Sequence, residues 1–345
     1  MNINFHYAAI KALAEHAGFS ARESQLIAYA SQFVDDATRH EILNLDKDPN
    51  VPGVRFERGE FDPICTAHKD IDYVTNLTKP RAHLLVYACF HFIPSLKGAR
   101  GRPAFRRVER GGDLAKKLVS DAVLSLSGSS GQDRMRKLIA LGIALHSYAD
   151  TWSHQGFSGF RDSSNNDISH LRVKTDSGQW KDVDVLSALV SYAAPDLGHA
   201  ETVTLPDRSE LAWDCIPAKT TSKRDNCREF LKAAKAILSL LSKATGTGKP
   251  WSGIKKKLEF CLRHPACDMK AGRDSPWTRR FGKTRFVYDE NEWFKAALST
   301  KGDLLDLLEN RYRLDPLDLE VLKDKRYFYF HAAALAQRRA VLNAI

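Results

Sequence analysis

The stretch from Leu141 to Gly159, LGIALHSYADTWSHQGFSG, decides how the chain is read. It opens as a buried helix, yet it spends its polar positions on His146, Asp150 and His154. At 3.6 residues per turn a step of four advances about 40° around the axis, so the three side chains share one stripe. Imidazole nitrogen and carboxylate oxygen are donors that zinc accepts at about 2.0–2.2 Å. An isolated histidine on an apolar face is ordinarily a hydrogen-bonded core residue. Three ligand types on one stripe, one of them a carboxylate that is costly to bury unpaired, indicate a metal surface instead. His146 and His154 stand about 12 Å apart along an ideal axis, too far to share an ion on a straight helix. Asp150 between them is spaced to bridge two ions, which in dinuclear hydrolases lie about 3.5–4 Å apart. Gly156 and Gly159 mark the end of the helix.

Working outward, ten of the twelve histidines precede residue 200, and only His264 and His331 follow it. Metal chemistry is therefore expected within residues 1–215, with residues 216–345 as a helical, basic extension packed on that domain. Further candidate ligands are His6 between Phe5 and Tyr7, Asp35 and Asp36 after LIAYASQFV, and His68 in ICTAHKD. His91 in CFHFIP, His199 in DLGHA and Asp207 in LPD complete the set. His40, His83 and His170 lie in ordinary polar contexts and are set aside.

Helical patterns dominate the chain. Residues 4–17 read as a helix closed by Gly18, and Ser20 with Glu23 forms a capping-box pattern that opens a second helix. Further helices are expected near 82–92, 113–126, 133–154, 183–194, 224–244, 251–263, 290–299, 303–312 and 325–343. The segments 40–80, 95–112 and 265–288 read as irregular, and LRVKTDSGQWKDV as a small β-hairpin turning at Asp176-Ser177-Gly178. The fold class expected is all-α, a multi-helix bundle with long loops.

The longest apolar run, Leu84 to Ile93, is interrupted by His91 and is far short of the roughly 18 residues a membrane span requires. The start, MNINFHYAAIKALAEHAG, lacks the basic, apolar and small-residue pattern of a secretory signal, so the chain reads as cytoplasmic when synthesised. None of the six cysteines forms a CxxC pair, which argues against a zinc ribbon; Cys261 and Cys267 flank a short loop and are close enough to pair in an oxidising setting. The net charge of +10 includes Lys255–Lys257 and the run from Arg279 to Arg285. A field of that sign attracts phosphate groups of lipids or nucleic acids. There is no GxSxG elbow, phosphate-binding GxxxxGK[ST] loop or GxGxxG fingerprint, and HSYADTWSH lacks the glutamate of HExxH.

The segments FHY, IAYASQFVDDAT, TAH, FHFIP, LGIALHSYADTWSHQGFSG and GHAETVTLPDRSELAW together resemble an uncharacterised bacterial family of unknown function. More distantly, the order of ligand types is similar to that of the zinc-dependent phospholipase C and single-strand-specific nuclease superfamily. The closer resemblance covers residues 1–215; the more distant one, which rests on ligand types and their order, implies an all-α fold with a trinuclear zinc cluster. Carried over, the ligands are His6, Asp35 or Asp36, His68 or His91, His146 with Asp150, His154, and His199 with Asp207. The chain departs from the superfamily in starting with Met1 rather than a processed tryptophan, in placing Asp207 eight residues after His199, and in the short spacing from Asp150 to His154. Two zinc ions are thus as compatible with it as three.

The resemblance implies a metal-dependent phosphodiesterase acting on a phospholipid head group at a peripheral membrane contact, with a carboxylate such as Asp35, Asp36 or Asp150 assisting the chemistry. In a chain without a secretory signal it also suggests an effector delivered by a specialised machine. Two other readings keep the metals: a nuclease on single-stranded nucleic acid, with Trp277 beside Arg279 and Arg280 stacking bases, and a non-catalytic, metal-stabilised binding module.

Overall fold

The computed structural model describes residues 1–68, 79–100, 102–161, 165, 170–175, 177–183, 204–216, 223–266, 269, 275–282, 286–300 and 318–345. Residues 4–16 form helix α1, which begins as a π-helix over Asn4–Ala9. Ala21–Asp36 form α2, whose N-terminus carries both limbs of the capping box: Glu23 N–H donates to Ser20 Oγ, and Ser20 N–H donates to the Glu23 carboxylate. Residues 80–91 form α3, a π-helix over His83–His91. Asp113–Ser125 form α4, and Gly131–Ser153 form the long central α5. Asn226–Thr245 form α6, Ser252–Arg263 α7, Pro276–Phe281 α8, Glu292–Ala297 α9 and Arg326–Ala344 α10. The helices expected near 183–194 and 303–312 lie outside the described residues.

The all-α expectation is corrected by two sheets. The first has five strands: β1 (Leu43–Leu45), β2 (Phe56–Glu57), β3 (Glu60–Phe61), β8 (Leu298–Thr300) and β9 (Asp318–Val321), in the order β2-β3-β1-β9-β8. The second has four: β4 (His170–Lys174), β5 (Trp180–Asp182), β6 (Ala212–Ile216) and β7 (Arg224–Asp225), in the order β5-β4-β6-β7. The hairpin expected from LRVKTDSGQWKDV is the β4–β5 pair, with Arg172 opposite Asp182. The other strands carry no readable alternation for a physical reason. Alternation needs several residues to register, and these strands have two to five; β1 moreover pairs in parallel with β9, Asn44 opposite Asp318, across most of the chain.

Helices α2 and α5 run side by side in the same direction, as three contacts along their length show. Arg134 pairs with Glu23, Gly142 sits against Ile27 and Ala30, and His146 bonds Ser31. Gly142 permits the approach, since a Cβ there would stand 2.4 Å from the Ile27 carbonyl oxygen and 2.6 Å from Ala30 Cβ. The close contact brings Asp35, in the last turn of α2, level with His146 and Asp150 of α5. Among the described residues the larger hydrophobic core runs from Met1 and Phe5 through Leu145 and Phe230 to Phe330 and Val341, and a smaller one gathers Tyr87, Phe92, Val108, Phe157 and Trp213. Within the larger core Gln337 of α10 donates to Cys89 O at 3.1 Å and to Ser147 Oγ at 2.9 Å, bracing the two helices that carry His91 and His146. Among the described residues no helix is long and apolar enough to cross a membrane.

Candidate metal centre

Seven side chains converge where α2, α3 and α5 end. They are His6, Asp35, His91, His146, Asp150, His154 and Asp207. His6 comes from the π-helical start of α1, and His91 is the last residue of the π-helical α3. Widened turns of this kind recur at functional sites and shift a side chain off the ordinary helical stripe. His154 follows α5 directly, and Asp207 ends a short 3₁₀ turn, Leu205–Asp207. Gly159 lets the chain beyond His154 lie against α3, because a Cβ there would stand 2.8 Å from Phe92 Cβ and 2.9 Å from Ala88 N.

The ligand-type atoms form three groups, His6–His146–Asp150, Asp35–His91–His146 and Asp150–His154–Asp207. His146 and His154, too far apart on α5 to meet, fall in different groups, and Asp150 joins them. The separations are 3.2 Å from His146 Nε2 to Asp150 Oδ2 and 3.6 Å to Asp35 Oδ1. His91 Nδ1 lies 3.4 Å from Asp150 Oδ2 and 3.8 Å from Asp35 Oδ1. On the other side His6 Nε2 is 3.0 Å from Asp150 Oδ1, and His154 Nε2 is 3.0 Å from Asp207 Oδ1. Two donors bound tetrahedrally at zinc lie roughly 3.3 Å apart, so these spacings suit such an ion.

The outer hydrogen bonds settle where the ring protons sit. His146 Nδ1 bonds Ser31 O at 2.8 Å, His91 Nε2 bonds Thr66 O at 2.9 Å, and His154 Nδ1 bonds His91 O at 2.8 Å. A carbonyl oxygen only accepts, so each of these nitrogens carries the proton. In the neutral imidazole the opposite nitrogen is then a lone pair, and in all three residues it faces the cluster. His146 Nε2 and His91 Nδ1 accordingly point at one another across 3.2 Å and at the Asp150 carboxylate. Acceptor against acceptor is repulsive unless a cation, proton or metal, stands between.

Charge points the same way. Three carboxylates meet four imidazoles and the Met1 amino group, whose nitrogen lies 2.5 Å from Asp150 Oδ1 and 3.0 Å from Asp207 Oδ1. Burial opposes charge on that amine, but Asp150, Asp207 and Asp35 raise it to about 10. Burial would likewise raise the Asp150 carboxyl, yet the amine and His154, His146 and His6 hold it well below its ordinary value. Burial, with His146 and the amine beside it, pushes His6 well below its ordinary value. Asp35 is raised, chiefly by burial. The ends of α2 and α5 add the negative poles of two helix dipoles, which favour cations.

The floor of the cluster is closed and one side is not. The side chains of His6 and His146 are 0% exposed and Asp150 1%, whereas Asp35 is 29% and Asp207 22% exposed. A cleft of about 430 Å³ opens elsewhere, at the starts of α2, α5 and α10, between Arg22, Tyr29, Gln132, Met135 and Trp293. None of the seven side chains lines it.

Not every expected ligand arrives. His68 turns aside to Cys65, with its Nδ1 3.7 Å from Cys65 Sγ, and its ring packs edge-on to Tyr87. Asp36 faces away from the ligands, its Oδ2 accepting from Tyr288 Oη at 2.6 Å and from Gln32 Nε2 at 3.0 Å. His199 lies outside the described residues. His170 is on β4, 3.0 Å from Asp182. Residue types gave no sign of the Met1 nitrogen or of the three carbonyls that orient the histidines, since backbone atoms leave no mark in a sequence. Tyr288 and Gln32 became visible only with the fold.

Comparison with known proteins places the chain in a family. It belongs to DUF6765, a family of unknown function whose pattern matches residues 1–345. No curated protein and no solved structure matched it.

Proposed function

We propose that this protein is a metal-dependent hydrolase of phosphate diesters, with zinc the metal that best suits the donor set and a phospholipid head group the substrate. The observation that carries the metal reading is the trio of histidines whose protons are committed to backbone carbonyls and whose lone pairs face carboxylates. Asp35, His91, His146 and one oxygen of Asp150 would hold one ion. The other Asp150 oxygen, with His6, His154 and Asp207, would hold a second. Because Nδ1 of His146 is committed to Ser31, that residue has one nitrogen to give, which favours two ions over three.

The chemistry that two divalent ions would supply there is Lewis acidity towards a phosphoryl oxygen and the attacking water. The chain's own residues then have distinct tasks. Asp35, at the open side with its carboxyl raised, orients the water and accepts its proton. Gln32, which donates to both Asp35 at 3.4 Å and Asp36 at 3.0 Å, holds the Asp35 carboxylate in place, and Tyr288 anchors Asp36 behind it. The partly exposed edge at Asp35 and Asp207 favours catalysis over a purely structural metal, which is normally closed by four protein ligands. Phosphate as the substrate group rests on the resemblance and on the basic charge of the chain.

The single-stranded nucleic acid reading loses its stacking residue. Trp277 is 0% exposed, and its Nε1 donates to Asn4 Oδ1 at 2.9 Å. The test is hydrolysis of phosphatidylcholine and of single-stranded DNA side by side by zinc-loaded protein. Release of the phosphorylated head group, abolished in Asp150→Asn, supports the proposal. Cleavage of DNA alone reverses the choice of substrate, and no hydrolysis of either by fully loaded protein refutes it.

A further inference from the structure

Helices α7 and α8 pack together and present cations that the metal centre does not use. Lys249, Lys255, Lys256, Lys257, Arg279 and Arg280 are all exposed, and none forms an ion pair among the described residues. The two helices are joined by crossed cation–aromatic contacts, with Arg280 3.7 Å over the Phe260 ring and Lys257 5.6 Å over Phe281. Among the described residues two acids lie nearby. Glu259 is 3.9 Å from Arg263, and Glu15 borders a shallow cleft of about 160 Å³ that Lys249, Lys257, His16 and Phe281 also line. The apolar side of α7, with Ile254, Leu258, Cys261 and Leu262, is buried in the core, so the lysine-bearing side is turned outward.

Unpaired like charges repel one another, which a fold tolerates where a counter-charge arrives from outside. We propose that this face docks on an anionic phospholipid surface, with the cleft between Lys249 and Lys257 receiving a head-group phosphate. Nucleic acid fits less well. Binding of single strands draws on free aromatic faces, but Phe260 and Phe281 are already covered by Arg280 and Lys257. Trp251 packs against the core, and Trp277 is fully buried. What the face offers is charge, which a layer of anionic head groups meets. Asn4 ties it to the ligand-bearing helix α1, bonding Ala266 N at 2.8 Å as well as Trp277, two residues before His6. The docking surface does not depend on the metal reading, and its test measures binding rather than hydrolysis.

The full chain is sedimented at low ionic strength with vesicles of phosphatidylglycerol mixed into phosphatidylcholine, and with vesicles of phosphatidylcholine alone. Wild type should bind the first, release with salt, and ignore the second. Each basic residue near such a surface contributes about fivefold in affinity, so combining Lys255→Glu, Lys256→Glu, Arg279→Glu and Arg280→Glu should weaken binding by at least about a hundredfold. Lys116→Glu, Arg136→Glu, Lys174→Glu and Lys235→Glu, combined in a control of equal net charge, should weaken it far less, and both variants should keep the wild-type circular dichroism. Failure of wild type to bind anionic vesicles, equal losses in the two variants, or displacement from vesicles by a lower concentration of single-stranded DNA would each overturn the proposal.

Discussion

A histidine that donates its ring proton to a backbone carbonyl has a lone pair left on its other nitrogen. Three such residues, His91, His146 and His154, aim that lone pair at the carboxylates of Asp35, Asp150 and Asp207. This distinguishes the cluster from a set of satisfied core histidines, in which one nitrogen finds an acceptor and the other a donor. The roles of the carboxylates can be separated by experiment. Asp150, assigned one oxygen to each proposed ion, should be needed for both, so Asp150→Asn should empty the site. Asp35→Asn should keep at least one ion while slowing hydrolysis about 10²- to 10⁴-fold, the usual contribution of a positioned proton acceptor. Metal analysis and single-turnover rates on the two variants decide it. In the sequence the stripe of His146, Asp150 and His154 was legible because helical spacing is regular. His68 and Asp36 looked as good as His91 and Asp35, because adjacency in the chain does not say which of two neighbours turns inward.

The elements were legible to unequal degrees. Helices announce themselves through caps and an apolar face, as Ser20 with Glu23 and the stripe of α7 do. The π-helical turns that deliver His6 and His91 have no such signature, and strands of two or three residues are too short to show one. Two consequences follow from the packing. Gly142→Ala would press a methyl group onto the Ile27 carbonyl and force α2 from α5, costing about 1–3 kcal/mol of stability and loosening the match of Asp35 to His146. A lowered melting temperature together with weaker zinc retention would confirm this coupling.

The second consequence concerns α10. His331 accepts the Ile64 N–H at 3.0 Å through Nδ1, and burial lowers its pKa to about 3. The folded state therefore favours neutral His331, while the unfolded chain takes up a proton near pH 6.5. Stability from this residue is complete above pH 6.5 and is lost as pH falls towards about 3, by at most roughly 1.4 kcal/mol per pH unit. Denaturation curves over that range should be shallower in pH for His331→Gln than for wild type. Parallel curves would show that His331 does not titrate as described.

For the molecule as a whole, the two sheets and the large core matter most. Strand β9 joins β1 to β8 within the first sheet, Tyr288 and Gln337 reach from the last sixty residues to the helices that hold the site, and Asn4 links the first helix to α8. Such long-range contacts are set by packing, which no local pattern reports, so most helices and the β4–β5 hairpin could be read in advance and the remaining strands could not. Buried carboxylates that lack their cations also destabilise the entire fold. Removing metal with a chelator should thus lower the melting temperature, and zinc should restore it in proportion to occupancy. The same melting temperature with and without chelator would mean that the ionic cluster is balanced by protons alone.

The most direct test is elemental analysis of the purified protein by inductively coupled plasma mass spectrometry, beside His146→Ala, Asp150→Asn and His170→Ala. Two zinc equivalents per chain are expected in wild type and in His170→Ala. His146→Ala should lose at least one of them and Asp150→Asn both. Full metal occupancy in the His146 and Asp150 variants, or protein that takes up no zinc when it is supplied, would contradict the metal centre and leave the cluster a buried network of protonated histidines and carboxylates.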